Sequence, residues 1–357
     1  MTGTGDIKRR KPRNPALEQA LGNLERVLST QGAAQQHDQR CADPLLILGV
    51  GRSGSTLLLQ YLAASGAFAY PSNVISRFYM RPALGELVQD LFLNPALDHD
   101  GEFGVLRANL PDLGFESDLG KTATPLEPSE FWYFWRRFFD FESGEPIPEG
   151  AFGADPCLDL RDELAEWSLL AGKPVALKAT IAAWTLEAIL KVMPEARVLA
   201  IQRDPFDTMI SLLNARMQHW TSVEGWYGLK LPAELRGIAK TPLEEVALQV
   251  AAFDEMIERC AADGQVDLLD YAAFCRAPEL VWQTSTLRRY AERERIDHSA
   301  ARARLHGVRF KARRPKPDRK LSFQHVDESA LRRLYARYRE EIRESGPHDR
   351  VDLPSRI

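Results

Sequence analysis

The stretch Gly49-Val50-Gly51-Arg52-Ser53-Gly54-Ser55-Thr56 stands between the apolar run Pro44-Leu45-Leu46-Ile47-Leu48 and the segment Leu57-Leu58-Leu59-Gln60-Tyr61-Leu62. An aliphatic run, a glycine turn and a helix start, in that order, describe a strand that enters a helix through a loop able to hold phosphate. The first N–H groups of a helix have no partner within it, and the aligned peptide dipoles place about half a positive charge there, so an anion settles on them. The spacing from Gly49 through Gly54 to Thr56 fits G-x-x-x-x-G-K-[ST], but Ser55 occupies the lysine position. Where that lysine is present it reaches the β- and γ-phosphates of a nucleotide triphosphate. A cradle without it holds a different anion, and Arg52 is the cation within the loop.

A second motif lies far downstream. Val198-Leu199-Ala200-Ile201 reads as a buried strand, short and without alternation. Arg203-Asp204-Pro205 follows, with Asp204 as N-cap and Pro205 as first helical residue, so Arg203 ends the strand and Ser211 lies about two turns into the helix. Alone, Arg203 would pair with Asp204 or Asp207, and Ser211 would bond to its own helix. In this order, after the glycine loop, they read as a second anion site.

Together these motifs resemble the sulfotransferases that use 3′-phosphoadenosine 5′-phosphosulfate (PAPS). Arg52-Ser53-Gly54-Ser55-Thr56 matches the Arg-Ser-Gly-[ST]-Thr of their 5′-phosphosulfate loop, and R-D-P-x-D-x-x-x-S from Arg203 to Ser211 matches their 3′-phosphate motif. The resemblance implies an α/β fold, a central parallel sheet flanked by helices. It implies a cofactor site of Gly51, Arg52, Ser53, Gly54, Ser55, Thr56, Arg203 and Ser211. The reaction implied moves a sulfuryl group from PAPS to a hydroxyl of a small molecule, glycan or specialised metabolite, leaving PAP and a sulfate ester and requiring no metal. A P-loop nucleotide kinase and a non-catalytic PAP-binding protein are the alternative readings; Ser55 speaks against the first.

Outward from the two motifs, Pro174-Val175-Ala176-Leu177 reads as another buried strand ending at Lys178, with helix from Trp184 to Val192, and Val266 to Leu269 as a fourth strand. Strands separated by helices indicate parallel βαβ units, whose ligands sit beyond the carboxyl ends of the strands. Arg52, Lys178 and Arg203 each follow a strand, so the three cations are expected at one edge. Lys178 matches the family's lysine, which neutralises the bridging oxygen or the 5′-phosphate.

The base for the acceptor proton has no such match. Ala179-Thr180 stand where aryl and steroid sulfotransferases carry a histidine after the lysine, and Ser72-Asn73 where tyrosylprotein-type enzymes carry a glutamate. Candidates are Glu116, Glu127, Glu130 and His99. Glu130 precedes Phe131-Trp132-Tyr133-Phe134-Trp135, where an apolar pocket would raise a carboxylate's pKa. The opposing reading makes it an exposed acid in the first turn of a helix from Ser129. Asn73, Ser76 and Arg77 are placed at the mouth, for the acceptor. The catalytic set is therefore Arg52, Lys178 and Glu130.

The 357 residues, 45% of them hydrophobic, suffice for a large core, and a net charge of −4 argues against a general nucleic-acid binder. Apolar runs fall far short of the roughly 20 residues that span a bilayer, and Lys8-Arg9-Arg10-Lys11 leads into no apolar core of a signal peptide. Cys41, Cys157, Cys260 and Cys275 lack metal-ligand spacing. A cytoplasmic location away from membranes is expected. Residues 1–43 read as a peripheral tail with one possible helix, Ala16 to Leu28, and 44–357 as a single domain. Ser65 to Gly172 reads as irregular and acceptor-binding. The basic 309–320 segment is either a cover for the 3′-phosphate or a solvated linker before a helix from Glu328 to Ile342. Oligomeric state has no sequence signal.

Overall fold

The computed structural model describes residues 43–97, 101, 103–140, 156–262, 264, 266–293, 298–317 and 326–344. His99, the Ala16 to Leu28 helix and residues 318–320 lie outside them. Four strands, β1 (Leu45–Leu48), β2 (Ala176–Lys178), β3 (Arg197–Gln202) and β4 (Val266–Asp270), form one sheet in the order β2-β1-β3-β4. Every pairing is parallel, with Ile47 opposite Lys178 and Leu199, and Gln202 opposite Asp270. The chain leaves β1 for β2 on one side and returns to β3 on the other, so a crevice opens beyond the carboxyl end of β1.

Between and after the strands come α1 (Ser55–Ser65), α2 (Pro82–Leu93), α3 (Gly104–Asn109), α4 (Trp132–Trp135), α5 (Pro156–Ala171), α6 (Leu186–Val192) and α7 (Pro205–Trp220). They continue with α8 (Pro242–Ala262), α9 (Tyr271–Arg276), α10 (Ser285–Arg293), α11 (His298–Arg304) and α12 (Glu328–Glu344). Alternate strand residues serve opposite faces, as the pleat requires. Leu46, Leu48, Val198 and Ala200 join one core with residues of α5, α7, α8 and α12. Leu45, Ile47, Leu199 and Ile201 join a second with α1, α9, α10 and α11. All of β1 is buried, which is why its sequence is continuously aliphatic.

Several boundaries differ from the sequence expectation. The first strand starts at Leu45, one residue after the apolar run begins, and stops at Leu48, where Gly49 turns the chain into the loop. The helix expected from Trp184 is a 3-10 segment, Thr180–Thr185, followed by α6. The region expected to be irregular, Ser65 to Gly172, contains α2 to α5. At the far end α12 lies along α8: Arg339 pairs with Glu255 and Glu258, and the Tyr335 hydroxyl donates to Asp254 Oδ2 at 2.9 Å. Arg332 crosses to Asp204 at 2.9 Å, fastening α12 to the start of α7.

Candidate active site

The glycine loop folds as tightly as its composition demands. A Cβ on Gly49 would lie 2.3 Å from Ser53 Oγ and 2.8 Å from the Ile201 carbonyl oxygen, and one on Gly54 would lie 2.6 Å from the Tyr271 ring. Only glycine permits these approaches, and Gly54 (φ 105°) also supplies the left-handed N-cap of α1. Gly51, Arg52, Gly54, Ser55 and Thr56 line a cleft of about 780 Å³. Ser53 does not join them. Its amide donates to the Val50 carbonyl at 3.1 Å and its hydroxyl is fully buried against the loop. That hydroxyl has no hydrogen-bond partner among the described residues.

Arg203 stands just past β3, as its position in the sequence requires. One guanidinium nitrogen donates to the Arg52 carbonyl at 3.0 Å, another to the Arg313 carbonyl, and the group lies 4.9 Å from the Tyr271 ring centroid. Burial pushes its pKa below the ordinary arginine value. Its Nε is buried without a hydrogen-bond partner, an unmet donor of the kind an anion satisfies. Eight residues on, Ser211 accepts from Arg52 Nε at 3.3 Å. Arg52 (φ 76°) thus leans towards the arginine–serine pair. The 309–317 segment crosses this end. The Phe310 amide donates to the Cys275 carbonyl at 2.9 Å, Asn214 to the Lys316 carbonyl at 2.8 Å, and Lys311, Arg313 and Arg314 line the cleft. Residues 310–315 thus run along the cleft.

Lys178 ends β2, and its backbone carbonyl accepts from Trp135 Nε1 at 2.8 Å. Its Nζ meets Glu130 Oε1 at 2.6 Å and Thr56 Oγ1 at 3.3 Å. Trp132 Nε1 donates to Glu130 Oε2 at 2.6 Å. Lysine and glutamate side chains are each only 12% exposed, so the pair is well shielded from solvent screening. The helix expected from Ser129 begins at Trp132, because Phe131 (φ 56°) breaks the helical path. Glu130 consequently lies ahead of the helix and reaches into the cleft instead of sitting in its first turn. Gly120 closes over the pair: a Cβ there would be 2.7 Å from Glu130 Oε1 and 3.3 Å from Thr56 Oγ1.

Other expected residues lie elsewhere. Asn73 bonds to Thr122 Oγ1 and the Thr124 carbonyl, both at 2.8 Å, and Ser76 to the Asn73 carbonyl at 2.8 Å. Neither they nor Arg77 are among the residues lining the cleft, so this group shapes the scaffold instead of the mouth. Glu127 is buried and accepts from the Ala123 and Thr124 amides, and Glu116 offers Gln60 only its carbonyl. Local hydrogen bonding accounts for the Glu127 carboxylate, and neither glutamate lines the cleft. Missed by the sequence reading are Leu119, Gly120, Trp132, Gln218, His219 and Tyr227, all lining the cleft. Among the described residues no group of His, Cys, Asp and Glu side chains is arranged to hold a metal ion, and no helix is long and apolar enough to cross a membrane.

Comparison with known proteins follows the same lines. Solved structures similar to this chain include sulfotransferase STF9 from Mycobacterium avium, with 19% identity, 94% of this chain and 88% of that chain covered, and a TM-score of 0.48. Sulfotransferase STF1 from Mycobacterium tuberculosis H37Rv gives 16% identity, 90% and 81% coverage, and a TM-score of 0.43. No curated protein matches the chain. Residues 44–284, which carry the glycine loop, Glu130, Lys178, Arg203 and Ser211, match the model of the sulfotransferase family, and the chain belongs to that family.

Proposed function

We propose that this sulfotransferase draws its sulfuryl group from PAPS and passes it to a hydroxyl of a small-molecule or glycan acceptor. The observation that carries the reading is that the N-terminus of α1 and the Arg203–Ser211 pair open into one cleft with the Lys178–Glu130 pair. In this assignment the amides at Ser55 and Thr56, with Gly51 and Gly54 allowing close approach, hold the 5′-phosphosulfate. Arg203, Ser211 and Arg52 hold the 3′-phosphate, with the unmet Arg203 Nε as one donor. Arg52 joins the two ends, since its carbonyl and its guanidinium each engage one member of the 3′ pair.

Glu130 takes the proton of the acceptor hydroxyl as that oxygen bonds to sulfur. Lys178, released from Glu130, neutralises the phosphate oxygen whose bond to sulfur breaks. Before substrates bind, each protects the other: Glu130 is held by Lys178 and Trp132, and Lys178 is held away from solvent. Cys157, Cys260 and Cys275 are buried and form no disulfide among the described residues, in keeping with a reducing cytoplasm. The fastening of α12 to Asp204 supports counting 44–357 as one domain.

The test is calorimetric titration of PAP into the protein and into Arg203→Ala, with radiolabelled sulfate transfer from PAPS to hydroxylated acceptors. Tight PAP binding that the substitution weakens is expected. Absence of PAP binding, or a variant that binds it unchanged, would sink the proposal.

A further inference from the structure

Eleven large apolar side chains are exposed among the described residues, and six of them, Leu87, Leu91, Phe92, Leu97, Val105 and Leu106, fall within residues 87–106. None of the six lines the cleft. The remainder are scattered between residues 158 and 280, as single exposed apolar residues normally are. The six belong to one helix pair. α2 is fixed to α5, where Arg81 pairs with Glu166 at 2.9 Å and Trp167 Nε1 donates to Glu86 Oε2 at 2.9 Å. Leu87 and Leu91, one turn apart on its outer side, are 42% and 56% exposed. At the end of α2 the Phe92 ring meets Phe103 edge-on, with centroids 4.9 Å apart, and Arg107 donates to the Phe92 carbonyl at 3.5 Å. α3, which carries Val105 and Leu106, is thereby held against the end of α2. Contiguous exposed apolar surface of this kind marks a place where something docks.

The chain holds a matching cover. Residues 1–42 lie outside the described residues and join them at Asp43, directly before β1. Within them Leu17, Leu21, Leu24 and Leu28 are spaced by four, three and four, which puts all four on one stripe of a helix and leaves Glu18, Glu25 and Arg26 off it. Asn14-Pro15 ahead of the stripe supplies an N-cap and a first-turn proline. Helical, residues 17–28 would measure about 18 Å, the same as the 12 residues of α2. A helix so short, with Gly22 in its middle, does not hold in water alone and depends on an apolar surface. Residues 29–42, extended, reach about 46 Å. A tether of that length keeps the segment near the patch at an effective concentration on the order of millimolar, which favours it over a separate molecule.

We infer that residues 17–28 dock as a helix on the α2–α3 surface of their own chain, with the leucine stripe against Leu87, Leu91 and Val105.

Hydrogen exchange read by mass spectrometry tests this on the full chain and on two double variants. Leu91→Asp with Val105→Asp alters the patch at exposed positions, and Leu21→Asp with Leu24→Asp alters the segment. Amides of residues 17–28 are expected to be protected in the parent chain. That protection should fall at least about tenfold in each variant, as charging two buried apolar contacts requires, while β1 and β3 exchange unchanged. α3 should exchange faster in the segment variant, and light scattering should give the same mass for all three proteins. Three results would each overturn the inference: unprotected residues 17–28 in the parent chain, protection that survives in the patch variant, or a parent mass that either variant halves. The last would give the patch to a second copy of the chain. Binding to phosphatidylcholine vesicles that the patch variant abolishes would give it to a lipid surface, and would overturn the inference equally.

Discussion

The two ends of the cleft are built by different means. The anion end consists of short consecutive stretches at strand ends, the loop after β1 and Arg203 after β3, in which backbone amides and fixed cations present themselves to a ligand. The other end, proposed here for the acceptor, is gathered from Leu119–Gly120, Glu130–Trp132 and Gln218–Tyr227, distant in sequence, and cross-linked by hydrogen bonds from Trp132 to Glu130 and from Tyr227 to Leu119. A donor common to a family needs a fixed, charged grip. An acceptor particular to one chain needs only shape and one place for its proton.

Lys178 is where the two ends meet, and its removal gives the largest expected effect. Lys178→Ala should lower kcat on the order of 10³-fold, as loss of a preorganised charge does, while PAP affinity changes little. A large loss of PAP affinity with kcat preserved would assign the lysine to donor grip alone and break the division between the ends. Next is a difference in pH response. Burial pushes the Asp254 carboxyl from the ordinary 3.8 up to about 6, and it lies beneath the anion end through Gln202, the residue before Arg203. The native state keeps a proton that the unfolded chain has already released. The contribution of Asp254 to stability is therefore greatest below about pH 4, falls as pH rises to about 6 and levels off above, with an amplitude of about 3 kcal/mol. Denaturant titrations across that range should show the slope, and Asp254→Asn should remove it.

Arg203→Ala should raise the PAP dissociation constant by roughly 10- to 100-fold, the cost of a charge-assisted contact, and an unchanged constant in calorimetry would remove Arg203 from the donor grip. The smallest effect belongs to Arg332→Ala. Its partner Asp204 is 42% exposed, so stability should fall by about 1 kcal/mol or less in thermal unfolding.

The legibility of the sequence divides along the same line. The glycine loop and the Arg203–Ser211 motif were readable because each is a local requirement: a turn that only glycine makes, an N-cap, a helix start. The parallel sheet followed from aliphatic runs too short and too uniform for helices. Glu130 came from a different inference, an acid beside aromatics, and its pairing with Lys178 depends on Phe131 turning the chain before α4, which no propensity announces. Leu119 and Gly120 were invisible because a leucine in a left-handed turn contradicts the usual residue preferences.

The matched family segment stops at residue 284, but the Arg313 carbonyl accepts from Arg203, the Lys316 carbonyl from Asn214, and Arg332 grips Asp204. Those residues leave the ribosome after all four strands have emerged. A nascent chain can therefore close its sheet before the segment that crosses the cleft has been made.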